Sequence, residues 1–472
     1  MIISELFSLL KHEWCLLTIL LLFLVIKIRA KEWSNERLIQ WMNALLAVNF
    51  ILGWLMNSEG ILFDGMFRNT ALIAFEKNIL NFALLIIHLQ SAEWMRKHKH
   101  LPEFYMLMLS SMLGMFFLLS SANWLMFYLA LELSAIPLAA LCNFDLDKKV
   151  SGEAAMKMIL SSAFSSCILL FGISLIYGST GTLDFVEMSG RLSGMSLEIL
   201  AFIFIFTGFA FKLSVAPFHF WTADVYEGSP VPVTSYLSVI SKGTVVFVLS
   251  TVFYTVFGSM SGIWYDVLVI STVITMTIGN LFALRQTNMK RFLAFSSIAQ
   301  VSYILIGVSA GTDQGMSSSI YFVLIYVFSN LGAFAVVSHI SALTGKENIA
   351  DYNGLYKTNP ALSWLLGISL FSLAGIPPTA GFFGKLFLLG AGAGAGNWPL
   401  IIFAALNMVV SLYYYLRVIR AVFMEPADSA LPKLSYGLSV KVAMIFCLGG
   451  ILLLGFTTGL YEYILSLSFG LK

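Results

Sequence analysis

The chain has 472 residues, 59% of them hydrophobic and 11% charged. A soluble domain carries about 25% charged residues, so this composition, with a mean hydropathy of +0.87, excludes a water-soluble enzyme and points to a polytopic membrane protein. Net charge is only +2, from 27 basic and 25 acidic residues, which leaves no footprint for a nucleic-acid partner and makes the lipid bilayer the expected surroundings.

Apolar runs of about 20 residues, the length a bilayer-spanning helix needs, recur along the whole chain. Short alternating segments of the kind that build membrane barrels do not. The fold class expected is therefore all-α, with about fourteen transmembrane helices at 13–28, 38–57, 70–92, 104–120, 123–142, 154–177, 197–221, 232–257, 264–284, 290–310, 316–343, 362–390, 397–423 and 439–462. The first, Trp14 to Ile28, runs into charges rather than a small-residue cleavage site and reads as a retained span. Connections are short, so residues 1–472 read as a single membrane domain. Cys15, Cys142, Cys167 and Cys447 are scattered without ligand spacing, and no metal site is expected. The Gly390–Gly396 run lacks the spacing of a nucleotide-binding loop and reads as a tight packed turn.

The basic residues orient the spans. Nineteen lysines and arginines, Lys27 and Lys31 among them, fall on odd-numbered loops and their flanks. Five fall on the other side: Lys11, Arg68, Lys77, Arg191 and Lys472. This asymmetry predicts odd loops in the cytoplasm and both termini outside a plasma (inner) membrane.

Three lysines belong to neither side. Lys212, Lys242 and Lys385 each stand alone in an apolar stretch, and one acid, Glu132, matches them as the sole intramembrane carboxylate expected. A charge at the centre of a span costs roughly 2.5–3.5 kcal/mol on insertion scales, too much for ornament on a purely structural helix. Snorkelling to the interface or a buried packing pair would be the bland account. A lysine that gains and loses a carboxylate partner can instead take up and release a proton, so these four residues are expected to form a proton relay. Pro217 follows Lys212 by five residues, and Pro377 and Pro378 precede Lys385. Proline breaks a helix, and broken backbone in a bilayer survives where it lines a cavity or is buried in protein. Paired interruptions in corresponding spans point to an ion site in a protein built of inverted repeats.

The stretches Lys212-Leu-Ser-Val-Ala-Pro-Phe-His-Phe-Trp-Thr-Ala-Asp-Val-Tyr-Glu-Gly, Ser241-Lys242-Gly243, Leu284-Arg-Gln-Thr-Asn-Met-Lys-Arg-Phe-Leu-Ala-Phe-Ser-Ser and Gly375-Ile-Pro-Pro-Thr-Ala-Gly-Phe-Phe-Gly-Lys385 resemble the antiporter-like membrane subunits of respiratory complex I, the proton-pumping NADH-quinone oxidoreductase. The likeness runs from about residue 100 to 420, and Asp224-Val-Tyr-Glu-Gly with Lys385 resembles the N type. The resemblance implies N-terminal helices over about 1–100, inverted five-helix repeats over about 104–257 and 264–423, each with a broken helix, and a C-terminal helix at about 439–462. It implies that Glu132 and Lys212 form the pair of the first half-channel, with Lys242 as central lysine and Lys385 in the second. It also implies other membrane and peripheral subunits as partners. NADH, flavin, iron–sulfur clusters and quinone are expected in those subunits, and no cofactor in this chain. The alternative is a subunit of a multi-subunit cation/proton antiporter; a third is a spacer between neighbouring subunits.

Further expectations concern five more residues. His219, beside the first break, and His339, in the eleventh span, would extend the relay, the latter towards Lys385. Glu153 would assist proton uptake and first of all pairs with Lys157 at i+4. Asp224 and Glu227 are expected in a short outer loop, as solvated or capping groups.

Overall fold

The computed structural model describes residues 2–29, 33–55, 58–426, 431–457 and 459–468; Lys31 and Lys472 lie outside them. The chain opens with α1 (Ile2–Leu9), α2 (Lys11–Ile28) and α3 (Asn35–Trp54), then a two-stranded hairpin, β1 (Gly60–Leu62) with β2 (Phe67–Asn69), and α4 (Ala71–Gln90) with the short α5 (Ala92–Lys97). Next come α6 (Leu101–Leu119), α7 (Trp124–Cys142), α8 (Lys149–Thr180), the short α9 (Phe185–Arg191), and the pair α10 (Ser196–Leu213) and α11 (Phe220–Gly228). After α12 (Val231–Tyr236), a π-helical turn at Leu237–Ser241 leads straight into α13 (Lys242–Thr255). The second half holds α14 (Ser261–Ala283), α15 (Met289–Ser309), α16 (Asp313–Thr344), the short α17 (Leu355–Thr358), the pair α18 (Pro360–Ala374) and α19 (Ala380–Gly394), and α20 (Trp398–Phe423). Helices α21 (Leu438–Leu453) and α22 (Gly459–Ser468) close the described chain.

Among the described residues, ten helices are long and apolar enough to cross a bilayer. Of the other expected spans, α2 misses that standard because it carries three charged residues, Lys11, Glu13 and Lys27, and α3, the split α18–α19 and α21 fall short of it in hydropathy or length. The run Gly390–Gly396 is helical as far as Gly394 rather than a loop; a Cβ at Gly392 would meet Ile306 and Ile401 at 2.8 Å, so Gly392 serves close helix packing, whereas a Cβ at Gly390, Gly394 or Gly396 would meet nothing within 4 Å.

The caps that set helix ends recur between the halves. The Asn123 side chain accepts from the Leu125 amide at the start of α7, and Asn288 from those of Lys290 and Arg291 at the start of α15. Each satisfies donors that a helix start leaves orphaned. Helices α8 and α16 are both 32 residues long and both stop on a left-handed glycine, Gly181 and Gly345. Asn123 and Asn288 stand 165 positions apart and the two glycines 164.

On the even-loop side, the hairpin is stitched to the first half by backbone hydrogen bonds. Arg68 donates to Ser120 and Ala122 to Met66, while Trp124 donates to Leu183 and Phe185 to Ala122.

The two breaks

Both proline-marked spans are split. Helix α10 ends at Leu213 on Ser214, left-handed at φ 64°, and α18 ends at Ala374 on Gly375 at φ 87°. The break at Ser214–His219 carries Pro217 and that at Gly375–Thr379 carries Pro377 and Pro378. The freed carbonyls find side chains: the Trp221 indole donates to Phe211 at 3.0 Å, and the Lys385 ammonium to Leu373 at 2.8 Å and Ala374 at 3.2 Å. A cation at a helix C-terminus also meets the negative end of its dipole. The expected span 197–221 therefore stops short as a continuous helix, because the chain must turn before Pro217.

Candidate functional site

Lys212, Lys242 and Lys385 are all buried, at 7%, 3% and 1% exposure. The Lys212 ammonium donates to the Ser162 hydroxyl of α8 at 3.1 Å. Glu132, on α7, is half-buried; its Oε1 has no protein hydrogen-bond partner and it forms no salt bridge with Lys212. Lys242 follows directly on the π turn, a feature often found at functional positions and one no proline or glycine announces. Its ammonium donates to Ser297 of α15 and lies 5.6 Å from the centre of the Tyr226 ring. Lys385 lies 4.6 Å from the centre of the Tyr303 ring.

Between Lys242 and Lys385 stands Gln300. A narrow cavity is lined by Lys242, Gln300 and Tyr326. The Gln300 amide donates to the Leu373 carbonyl and to the Tyr415 hydroxyl, both at 2.9 Å, and Ser296 and Tyr415 are 2.6 Å apart. Gln300 Oε1 and the hydroxyls of Tyr226, Tyr303 and Tyr326 are buried without protein hydrogen-bond partners. Buried polar atoms of this kind are the ones ordered water serves, and a hydroxyl or water chain can hand a proton on.

The accessory residues fall differently. His219 is buried at the start of α11, with its ring 4.4 Å from Phe220, and no direct contact joins it to Lys212. His339 packs edge-on to Tyr436 near the end of α16. Gly384, beside Lys385, faces Phe322 and Ile325 of the same helix, so His339 lies about 20 Å along the axis from that level at 1.5 Å per residue.

Asp224 and Glu227 are helical rather than in an outer loop. Lys157 binds Glu153 at 2.7 Å and Asp224 at 2.6 Å, and Arg291 binds Asp224 at 2.7 Å and Glu227 at 2.8 Å. This network puts Asp224 and Glu227 on the odd-loop side, since Lys157 and Arg291 flank odd loops. Next to it, a cavity of about 500 Å³ is lined by His98, Asp145, Lys148, Lys290 and Glu347. His98 binds Asp145 at 3.0 Å and Lys290 binds Glu347 at 3.0 Å. Burial pushes the Asp145 carboxyl up, and hydrogen bonds from His98 and Lys148 pull it further down, below the ordinary carboxylate range.

Two sequence expectations fail here. Lys77, counted as an outer-loop flank, is fully buried in α4 and bound to Glu13 of α2 at 2.6 Å. Glu13 and Glu76 are buried too, so Glu132 is not the sole acid in the membrane interior. Glu13 and Lys77 lie 64 positions apart, and each sits near the edge of an apolar run, which hides the pair from a linear reading. Among the described residues, no group of three or more His, Cys, Asp or Glu could hold a metal ion.

A family profile described as the transmembrane part of NADH:quinone oxidoreductase and the Mrp antiporter matches residues 121–411. NADH-quinone oxidoreductase subunit N from Phocaeicola vulgatus is 44% identical over 430 residues, 89% of this chain and 91% of the relative. Subunit N from Azobacteroides pseudotrichonymphae is 45% identical over 416 residues, 87% of each. A chain of respiratory complex I from Thermus thermophilus superimposes with a TM-score of 0.82 at 27% identity, covering 95% of this chain and 98% of that one. The Mrp complex from Dietzia gives 0.86 at 22% identity, covering 98% and 96%, a likeness of fold alone. The chain belongs to the antiporter-like membrane subunits of NADH:quinone oxidoreductase and the Mrp antiporter, and within them it groups with subunit N.

Proposed function

We propose that this chain is a proton-translocating membrane subunit of an NADH:quinone oxidoreductase, and that Glu132, Lys212, Lys242 and Lys385 carry the proton. The observation that supports this most directly is that Lys242 and Gln300 line one narrow cavity, and that the Gln300 amide donates to the carbonyl that Lys385 also binds. Lys212 exchanges protons under the charge of Glu132, Lys242 receives and passes them on, and Lys385 delivers them at the second break. The odd-loop face, with its ion network and its cavity, is the cytoplasmic side in this reading, and the membrane is the inner one. His339 and Glu153 lie towards that face and serve uptake; His219 adjusts the first break. Electron transfer from NADH through flavin and iron–sulfur clusters to quinone takes place in partner subunits, and the chain assembles with the other membrane and peripheral subunits.

The test is substitution of Lys212, Lys242 or Lys385 by alanine in the complete complex. Assembly is read on a native gel stained for NADH dehydrogenase, and redox-driven proton uptake is read in vesicles. Intact assembly with lost pumping is expected. If Lys212→Ala leaves both unchanged, the relay is wrong, and a chain that migrates apart from any NADH-active assembly excludes the oxidoreductase role.

A further inference from the structure

The amino-terminal helices hold a second cluster of ionisable groups, outside residues 121–411. Lys77 binds Glu13, and its ammonium lies 5.1 Å from the centre of the Phe67 ring on β2 and 6.0 Å from that of Phe116. His12, Glu13, Glu76 and Lys77 are all at most 3% exposed. Glu76 Oε1, Glu13 Oε2 and both ring nitrogens of His12 have no protein hydrogen-bond partner. Lys11, one residue before His12, donates to the carbonyls of Gly53 and Leu55 and is the further cation that α2 places beside the cluster.

A buried salt bridge holds helices together at little net gain, and a packing role accounts for Glu13 with Lys77. It does not account for Glu76, a carboxyl group with an unpartnered oxygen beside that pair. In a membrane interior such a residue is expensive and calls for a function. Its place on α4 supplies one. Leu80, one turn further along on the same face, is close enough to Gly243, the residue after Lys242, that a Cβ there would meet it at 3.7 Å. Helix α4 thus turns Lys77 towards α2 and Glu76 along the face that meets the helix of Lys242.

We propose that Glu76, set beside the Glu13–Lys77 pair and His12, is a further proton-exchanging site, connecting the Lys242 region to the even-loop face beneath the hairpin. The step is a plain proton transfer: Glu76 takes a proton from a hydronium on the Lys242 side, leaving water, and gives it up to water on the other, forming hydronium there. The coupling to pumping rests on the function proposed above; the exchange at Glu76 does not.

The test uses the complete complex in vesicles without an electron donor. A pH jump is followed by infrared difference spectroscopy in H2O and D2O, and the proton-to-electron ratio is then measured with NADH. A protonated-carboxyl band that shifts in D2O, is lost in Glu76→Gln and moves in Glu76→Asp is expected, with a reduced ratio in Glu76→Gln and partial recovery in Glu76→Asp. Glu76→Gln leaves the Glu13–Lys77 pair in place. If it fails to assemble, the band of Glu76→Asp against the unaltered complex decides. Absence of any exchangeable band that depends on residue 76, or an unchanged ratio in an assembled Glu76→Gln complex, overturns the proposal. A Lys242→Ala complex that pumps normally while the Glu76 band persists sinks the relay instead.

Discussion

Gln300 and Lys385 donate to the same backbone carbonyl, that of Leu373, at 2.9 and 2.8 Å. That oxygen is free because α18 stops at Ala374, so the break brings a lysine of one helix and an amide of another to one acceptor. Gln300→Leu keeps the volume and removes the link. Redox-driven pumping is expected to fall on the order of tenfold, equivalent to about 1.4 kcal/mol in the barrier, with assembly retained on a native gel.

Charge and proton exchange can be separated at Lys385. Arginine retains the charge but does not release a proton in a protein. Lys385→Arg and Lys385→Met should therefore be equally defective in vesicle pumping. An active Lys385→Arg complex would mean that the fixed charge, not its proton, matters.

Glu132 makes no salt bridge with Lys212, so the proposed control of the lysine has to work through space, where Coulomb energy falls only as the inverse of distance. Glu132→Asp should keep most pumping because the charge remains, whereas Glu132→Gln should lose it. Equal loss in both variants would point to a requirement for geometry instead.

Gly381 tests the second break as a packed object. A Cβ there would fall 1.8 Å from the Ser372 carbonyl oxygen, a backbone atom that cannot swing away. Gly381→Ala is expected to cost about 1–3 kcal/mol, as overpacking does, seen as a lower melting temperature of the complex. Gly390→Ala, with nothing within 4 Å, should be silent in the same measurement.

At the odd-loop face, Asp145 is held below its ordinary value by His98 and Lys148 against the opposing effect of burial. A carboxylate lowered in the fold contributes stability above its unfolded pKa, about 3.9, and that contribution is lost as pH falls through the folded value. Asp145→Asn should therefore lower thermal stability at pH 7, and its gap to the unaltered protein should close below about pH 4.

Lys212, Lys242 and Lys385 were legible because a lone charge stands out in an apolar run, and the breaks because proline has no amide to give. The rest depended on distance in three dimensions. The Glu13–Lys77 pair joins two run edges that each resemble a loop flank. The π turn before Lys242 is made of Leu, Ser, Val and Ile, residues that fit an ordinary helix as well. Asp224 and Glu227 looked solvated because Lys157 and Arg291, their partners, lie 64 to 67 positions away.

The backbone stitches from Arg68 through Ser120 and Ala122 to Leu183 and Phe185 run across three separate connections. Each would leave an unpaired amide and carbonyl if pulled apart, a penalty of about 1–3 kcal/mol per buried group. The even-loop rim therefore behaves as a tie-bar: it fixes the spacing of α4, α6, α7 and α9 at one end, so tilting of these helices is levered about that rim and is largest at the opposite face.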